Sequence, residues 1–488
     1  MSSLKRIFTI LIVLSFFFPA HTAFAQDRAE ENAWSGTLND GTKIDDKDLA
    51  KILSDHQKWI DSSGRQGRRA NLAGANLRGV NLEGANLQEA LLWGCDFQGA
   101  DLSSANFQGA ILREANFQKA ELRFANLQDA YLHKADFRGL NLNEVVFQKA
   151  VLQKANLQGA NLRGVNLQQG DLWGANLQDA DLQNTNLQEA VLWQANLQKA
   201  FLNKADLRGA DLQNANLQKA DFGSAKLQGA DLGYTALQGA SFYHTNLHGA
   251  DLLKADLEGV VFEIEPNHPP YIPSIATALN LALLEYNRLP YALVELRKAF
   301  KQFGLRRQER EITYAIKHSG FKNALDNGNL LTKIEVVLGW VFFEQTCEWG
   351  MAPERPLFIL IGLICLFTIP YTLAISGDIY DRKKTDGIWI YWIPGRMRDD
   401  LGKPCKELLD EITPNSLKFA FFFSVLSAFH LGWRDINIGN WIARLQRYEY
   451  RLQATGWART LSGIQSLLSV YLLALSVLTY FGSPFESY

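Results

Sequence analysis

The side chains able to do chemistry are few and scattered. Eight histidines stand at 21, 56, 133, 244, 248, 268, 318 and 430, and no two of them join a thiol or carboxylate at a metal-ligand spacing. His244 and His248 are four apart, but the segment around them has no helical period that would place them on one face. Cys95, Cys347, Cys365 and Cys405 show no CxxC or Cys-His pattern and read as free, small, apolar side chains. There is no GxSxG, no phosphate-binding glycine loop and no HExxH. No catalytic, cofactor-binding or metal-binding residue is therefore assigned, and an enzyme is not expected. One hexapeptide stands apart: His430, Leu431, Gly432, Trp433, Arg434 and Asp435 close an apolar run and carry charge to its boundary. Backbone carbonyls beside such a glycine are the groups that line ion paths.

What must position these residues is a chain of 488 residues, more than one core usually organises. Its 49 basic and 51 acidic residues leave a net charge of -2, with no excess to hold a phosphate backbone or an anionic membrane. Lys5 and Arg6 precede an apolar run from Ile7 to Phe18, and Ala23-Phe24-Ala25 ends it as a signal peptidase requires. Cleavage is expected after Ala25; an uncleaved anchor is the alternative, and either would deliver the following residues to the outer side of a membrane.

From Leu72 to Phe262 every fifth residue is Leu or Phe, at 39 positions, and the residue two before it is Ala at 29 of them. Period five suits neither a helix nor a strand. Positions two apart share one face of an extended segment, so the small and the large residue point together and the Asn or Asp between them points out. If the two remaining residues turn the chain each time, it coils around a column of apolar side chains. Leu72, Leu127, Leu177, Leu227 and Phe262 sample that column. Leu140, Val145 and Gly170 break the small-residue rule and are expected to mark a bulge or bend. Trp93, Trp173, Trp193, Tyr131, Tyr234 and Tyr243 fall at outward positions, where aromatics can anchor a partner or simply be scattered on the surface.

The motif Ala175-Asn176-Leu177-Gln178-Asp179, with its repetition over residues 70 to 262, resembles the pentapeptide-repeat family. The resemblance implies an all-β, right-handed, quadrilateral β-helix of four pentapeptides per coil and about ten coils, at ~4.8 Å per coil. Some members of the family mimic duplex DNA and bind DNA gyrase. This array, with 15 basic and 20 acidic residues, is only mildly acidic and reads as exported, so no nucleic-acid partner is expected. Leu49, Ile52, Leu53, His56, Trp59 and Ile60 recur at helical spacing and suggest a helical cap within 26 to 69. His56 and Trp59 resemble the His-x-x-Trp lead-in of many such arrays.

Pro266, Pro269 and Pro270 are expected to end the array, and 274 to 286, 290 to 303 and 305 to 318 read as amphipathic helices of a linker over 263 to 333. Residues 334 to 488 read as an α-helical membrane module. Its spans are 356 to 376 and 460 to 482, and 417 to 433 is marginal at 17 residues. Ser462, Gly463, Ser466 and Ser469 form a small-residue strip on which another helix can pack. The stretch FFFSVLSAFHLGWRDI is similar to the pore helix and filter of two-transmembrane potassium channels: Gly432 and Asp435 match, while His430 and Arg434 depart from the pattern. The tail as a whole is similar to those of other membrane-bound pentapeptide-repeat proteins.

Seven basic residues in 377 to 415 and five in 434 to 459 both lie inside if 417 to 433 is re-entrant, as the positive-inside rule prefers. The resulting expectation is a multi-pass protein of the bacterial inner membrane with its repeat domain in the periplasm. It would contact membrane lipid and a protein partner, need no cofactor, and associate with further copies through the membrane module. Two functions follow: a non-enzymatic scaffold that displays a rigid rod, or an ion channel-like transport protein.

Overall fold

The five-residue period exists because each unit closes one tight turn. In the unit around Leu177, its carbonyl accepts the amide of Ala180 (3.1 Å), and Asp179 takes the left-handed conformation (φ 56°) that this turn needs at its third position. The Asn176 side chain accepts the amide of Gln178 (3.2 Å), which explains why Asn and Asp recur there. Leu177 and Ala175, flanking Asn176, point inward and are fully buried.

The computed structural model describes residues 34–330, single positions or pairs at 333–334, 337, 346, and the segments 354–376, 387–392, 406–407, 414–428 and 450–481. It forms two units, divided after Ile316.

In the first unit, parallel bridges pair each outward residue with the one twenty later, as Asn176 with Asn196. The Leu177 amide donates to Asn196 (2.7 Å), and the Asn196 amide donates back to Ala175 (2.9 Å). Aligned side chains then stack along the array. Phe117 and Phe137 lie 4.6 Å apart and nearly coplanar inside, and Asn196, Asn176 and Asn156 form an amide ladder outside, at 3.2 Å per step. Leu72, Leu127, Leu177, Leu227 and Phe262 all lie in one continuous core.

The ladder from Asn71 to Val261 lacks one bridge, between Glu121 and Asn141. Leu140 occupies a position built for Ala; it and Ala120 stand at 7% and 8% exposure amid neighbours near zero. Glu144 is the one residue at the third turn position between 74 and 259 without a positive φ, and its carboxylate meets Arg123 at 2.6 Å. The irregularity expected at 140 and 145 is therefore present. At Gly170 the ladder is unbroken, since Gly170 accepts the Val191 amide at 2.9 Å.

Both ends of the ladder are covered. Strands β1 (Ser35–Thr37) and β2 (Lys43–Asp45) form a hairpin, and Thr37 exchanges two backbone hydrogen bonds with Asn76. Helix α1 (Asp46–Asp61) follows, capped by Asp45, whose carboxyl is held below the usual range by the amides of Asp48 and Lys47. At the other end, the prolines do not stop the ladder. Leu279 pairs with Asp256 and Glu285 with Val261, so the segment after Phe262 adds an irregular course. The helix expected over 274 to 286 is absent: α2 (Ile272–Ile275) and a 3₁₀ turn (Leu281–Leu283) are all that form there. The physical reason is the open edge at 250 to 261, whose amides and carbonyls take partners from this segment, as Tyr271 donates to Ala250. Helices α3 (Tyr291–Gln302) and α4 (Arg306–Asn327) follow, with Leu293, Leu296, Phe300 and Ile312 buried in the same core.

The second unit contains α5 (Arg355–Ser376), β3 (Gly387–Trp392), β4 (Lys406–Glu407), α6 (Pro414–Ala428), β5 (Tyr450–Thr455) and α7 (Gly456–Phe481). Tyr371 and Ala374 pack with Ala420 and Ala458, while Leu360 and Ile364 pack with Ala428 and Leu472. Both α6 and α7 therefore run antiparallel to α5. Strands β4 and β5 pair antiparallel on either side of β3, and β5 leads directly into α7.

Candidate interaction surface

Inside the array there is no room for a site. The inward column is filled by Leu, Phe, Ala and a few Val and Thr, all buried except Ala85, which is half-buried. Cys95 shows the consequence: its thiol donates to the Leu72 carbonyl (2.9 Å), and burial pushes its pKa up to about 12, so it is an inert packing residue. Cys365 is exposed on α5, and the other two cysteines fall outside the described residues. Among the described residues no three His, Cys, Asp or Glu side chains gather as a metal set.

His56 belongs to the cap. It is wholly buried, stacks 5.7 Å from Trp59, and its Nδ1 accepts the amide of Ala70, the first residue of the array (3.1 Å). Burial holds its pKa below the usual histidine value, so the ring is neutral and fastens α1 to the first coil. A cleft of about 380 Å³ opens beside it, lined by Trp59, Ile60, Ser63, Gly64, Gln88 and Glu89. Glu89 is its only titratable lining group.

The outer surface is what remains. The twenty-residue interval brings Trp173 and Trp193 into a stack (6.0 Å, 15°), with the Lys154 ammonium 4.6 Å over the Trp173 ring. Trp93 lies on the same column, four intervals earlier, and is 49% exposed. Tyr131 and Tyr234 are exposed as well, whereas Tyr243 is engaged by Arg288, which donates to its hydroxyl (2.8 Å). Phe124, 55% exposed beneath Arg123, and Phe201 are further outward aromatics, at the same repeat positions as Tyr234 and Tyr131, so the five-residue period already marked them.

In the helical unit the sequence strip is used: Ser462 donates to Ser427 Oγ (2.8 Å) and Ser466 to the Ser427 carbonyl (2.5 Å). Gln465 lies at the centre. It accepts from Tyr371 (2.9 Å) and donates to Ser424 (2.8 Å), whose hydroxyl donates to the Ile364 carbonyl (2.7 Å). Tyr371, Ser424 and Gln465 are all buried, so this network ties α5, α6 and α7 together. The candidates His430, Leu431, Gly432, Trp433, Arg434 and Asp435 lie outside the described residues, as does the expected signal at 1–25.

The family model for pentapeptide repeats matches in eight copies over 68–103, 155–194, 185–229 and 225–263, and that for a pentapeptide repeat region matches 90–167. HetL, a pentapeptide repeat protein involved in heterocyst differentiation regulation in the cyanobacterium Nostoc sp. strain PCC 7120, is 33% identical. The match covers 44% of this chain and 97% of HetL, with a TM-score of 0.31. The chain belongs to the pentapeptide-repeat family. Further solved relatives are full-length QnrB1, a plasmid-mediated fluoroquinolone resistance protein (21% identity, 41% and 93% coverage, TM-score 0.25), and Rfr23 of the cyanobacterium Cyanothece 51142 (22%, 38% and 93%, TM-score 0.10). No curated protein matches. As a pentapeptide-repeat protein, its array is a right-handed β-helix, and two apolar helices follow it toward the C-terminus.

Proposed function

We propose that this pentapeptide-repeat protein is a non-enzymatic scaffold that presents a rigid rod to a protein partner from an anchor in the membrane. The observation that carries it is the partition of the array: apolar side chains fill the interior, and every varied side chain stands outside. Members of the family typically serve as protein-interaction scaffolds. The twenty-residue bridge interval supports four pentapeptides per coil, hence a quadrilateral rod of about ten coils.

Two helical segments, Arg355–Ile375 (21 residues) and Trp457–Leu478 (22 residues), are long and apolar enough to cross a membrane, each ~32 Å at 1.5 Å per residue. Leu357, Phe358, Ile361 and Leu366 on the first, and Ile464 and Leu467 on the second, are exposed apolar side chains suited to lipid. Helix α6, 15 residues and ~22 Å, is too short to span. The chain enters it at the end of the bundle where Ala374 meets Ala458 and regains that end at β5, which favours the re-entrant reading. The apolar run before Ala25 favours a periplasmic rod.

Photo-crosslinking in cells tests the scaffold. A benzophenone side chain at Trp93 or Trp193 is expected to give a discrete protein adduct; none from any outward position would refute it. Helix α6, with one face packed against α5 and α7, also supports the second reading, an ion channel-like module, because re-entrant helices precede filters in pores.

A further inference from the structure

The outward columns of the rod are not alike. The column through residues 76, 96 and onward to 256 holds ten residues, all Asn or Asp except Ala236. The column immediately before it in chain order, through 71, 91 and onward to 251, carries apolar residues at five of its ten positions. Four are consecutive: Leu91, Ile111, Tyr131 and Val151 are joined by parallel bridges into one uninterrupted ladder. Beyond them the column turns acidic, with Asp171, Asp211, Asp231 and Asp251 and a single Val191.

The apolar half does not serve the turns beneath it. Elsewhere an Asn or Asp at this position accepts the amide two residues on, as Asn176 does for Gln178. No side-chain oxygen plays that part for Trp93, Arg113, His133 or Gln153, so the fold forgoes four turn hydrogen bonds on this face. Tyr131 and Val191 are exposed, the other apolar members half-buried, and Trp93 borders the ladder. Single apolar residues on a surface are ordinary; a stacked run of them marks a contact surface. The acidic half lacks counter-charge, although Asp171 and Asp231 each accept a side-chain hydrogen bond, from Gln153 and Gln213 (2.6 Å each). None of its four aspartates lies within an ion pair among the described residues, although Asp136 and Asp206 on other columns are each paired to an arginine.

We infer that this face, from Leu91 to Asp251, docks a polypeptide segment of another protein that has an apolar half followed by a basic half. Eight coil steps of ~4.8 Å make the face ~38 Å long, the length of roughly 12 extended or 25 helical residues. Charge selects the partner class: four carboxylates without a counter-charge attract Lys and Arg and oppose an anionic lipid surface. This inference rests on the scaffold reading and adds the face and the chemistry of its partner.

The test uses the full chain in detergent and fluorescent synthetic peptides in which a Leu/Ile/Val half is joined, in either order, to a Lys/Arg half. Anisotropy reports binding, and a matched peptide with Glu in place of Lys and Arg is the control. The variant L91N/I111N/Y131N/V151N installs the residue type that the neighbouring column uses, so it is expected to fold. Its affinity should fall tenfold or more with an unchanged melting temperature. The variant D171N/D211N/D231N/D251N should lose about three- to tenfold and its dependence on salt. Wild-type binding that neither variant changes, equal binding of the Glu peptide, or no peptide binding at all would overturn the inference. So would a concentration-dependent dimer, or vesicle binding by the rod, that the first variant abolishes. Crosslinked protein adducts confined to other columns would overturn it too, while leaving the scaffold reading intact.

Discussion

The repeat array and the helical unit reach a single arrangement by opposite means. In the array each five-residue unit carries its own instructions: a turn closed from Leu177 to Ala180, an Asn that accepts the next turn's amide, and a buried pair. Partners stand twenty residues apart, and the same contact recurs along the rod. In the helical unit three apolar helices, α5, α6 and α7, are joined by hydrogen bonds between side chains distant in the sequence. Tyr371 and Gln465 are 94 residues apart. Repetition distributes the specification; the network concentrates it in a few side chains.

Substitutions separate the two modes. The largest effect is expected from Leu177→Asp, which places a charge in the fully buried column. It should cost about 4 kcal/mol or more and expose several coils to protease, while Gln178→Asp beside it stays resistant. Equal digestion patterns would break the claim that the buried column holds the array together. Gln465→Leu removes the centre of the helical network and should lower unfolding stability in detergent by about 1 kcal/mol; no change would show that apolar packing already fixes the register.

Acid should loosen the N-terminal cap. The folded pKa of His56 is lowered by burial, so between that value and the unfolded one the unfolded chain binds more protons. Cap stability is then full above about pH 6.5 and declines as pH falls below it. Hydrogen exchange at the Ala70 amide reads this, and His56→Gln should flatten the profile. The smallest effect is a gain: Phe124 sits at φ 60°, and Phe124→Gly should stabilise the array by about 0.5 kcal/mol in thermal unfolding.

Legibility in the sequence follows the same division. Period five and the alternation of Ala and Leu reveal the coil because each unit's burial is decided within five residues. The irregularity at Leu140 is visible because a large residue fills a small position. Gly170 misleads, because a residue smaller than Ala fits without disturbing the ladder. The course after Phe262 is hidden, since its fold is dictated by the open edge at 250 to 261 that it pairs with and not by its own prolines. The stacked Trp173 and Trp193, and the apolar ladder from Leu91 to Val151, appear only when every twentieth residue is read together. Ser462 and Ser466 announce a helix contact, whereas the role of Gln465 depends on Tyr371 and Ser424, which no local pattern links to it.

The central proposal is that the array does the recognising and the helical unit serves only as an anchor. Conductance of the purified full chain in planar bilayers tests it most directly. The account predicts no current above that of protein-free membranes at any potential. A current that a Gly432→Pro substitution abolishes would contradict it and make the module a pore.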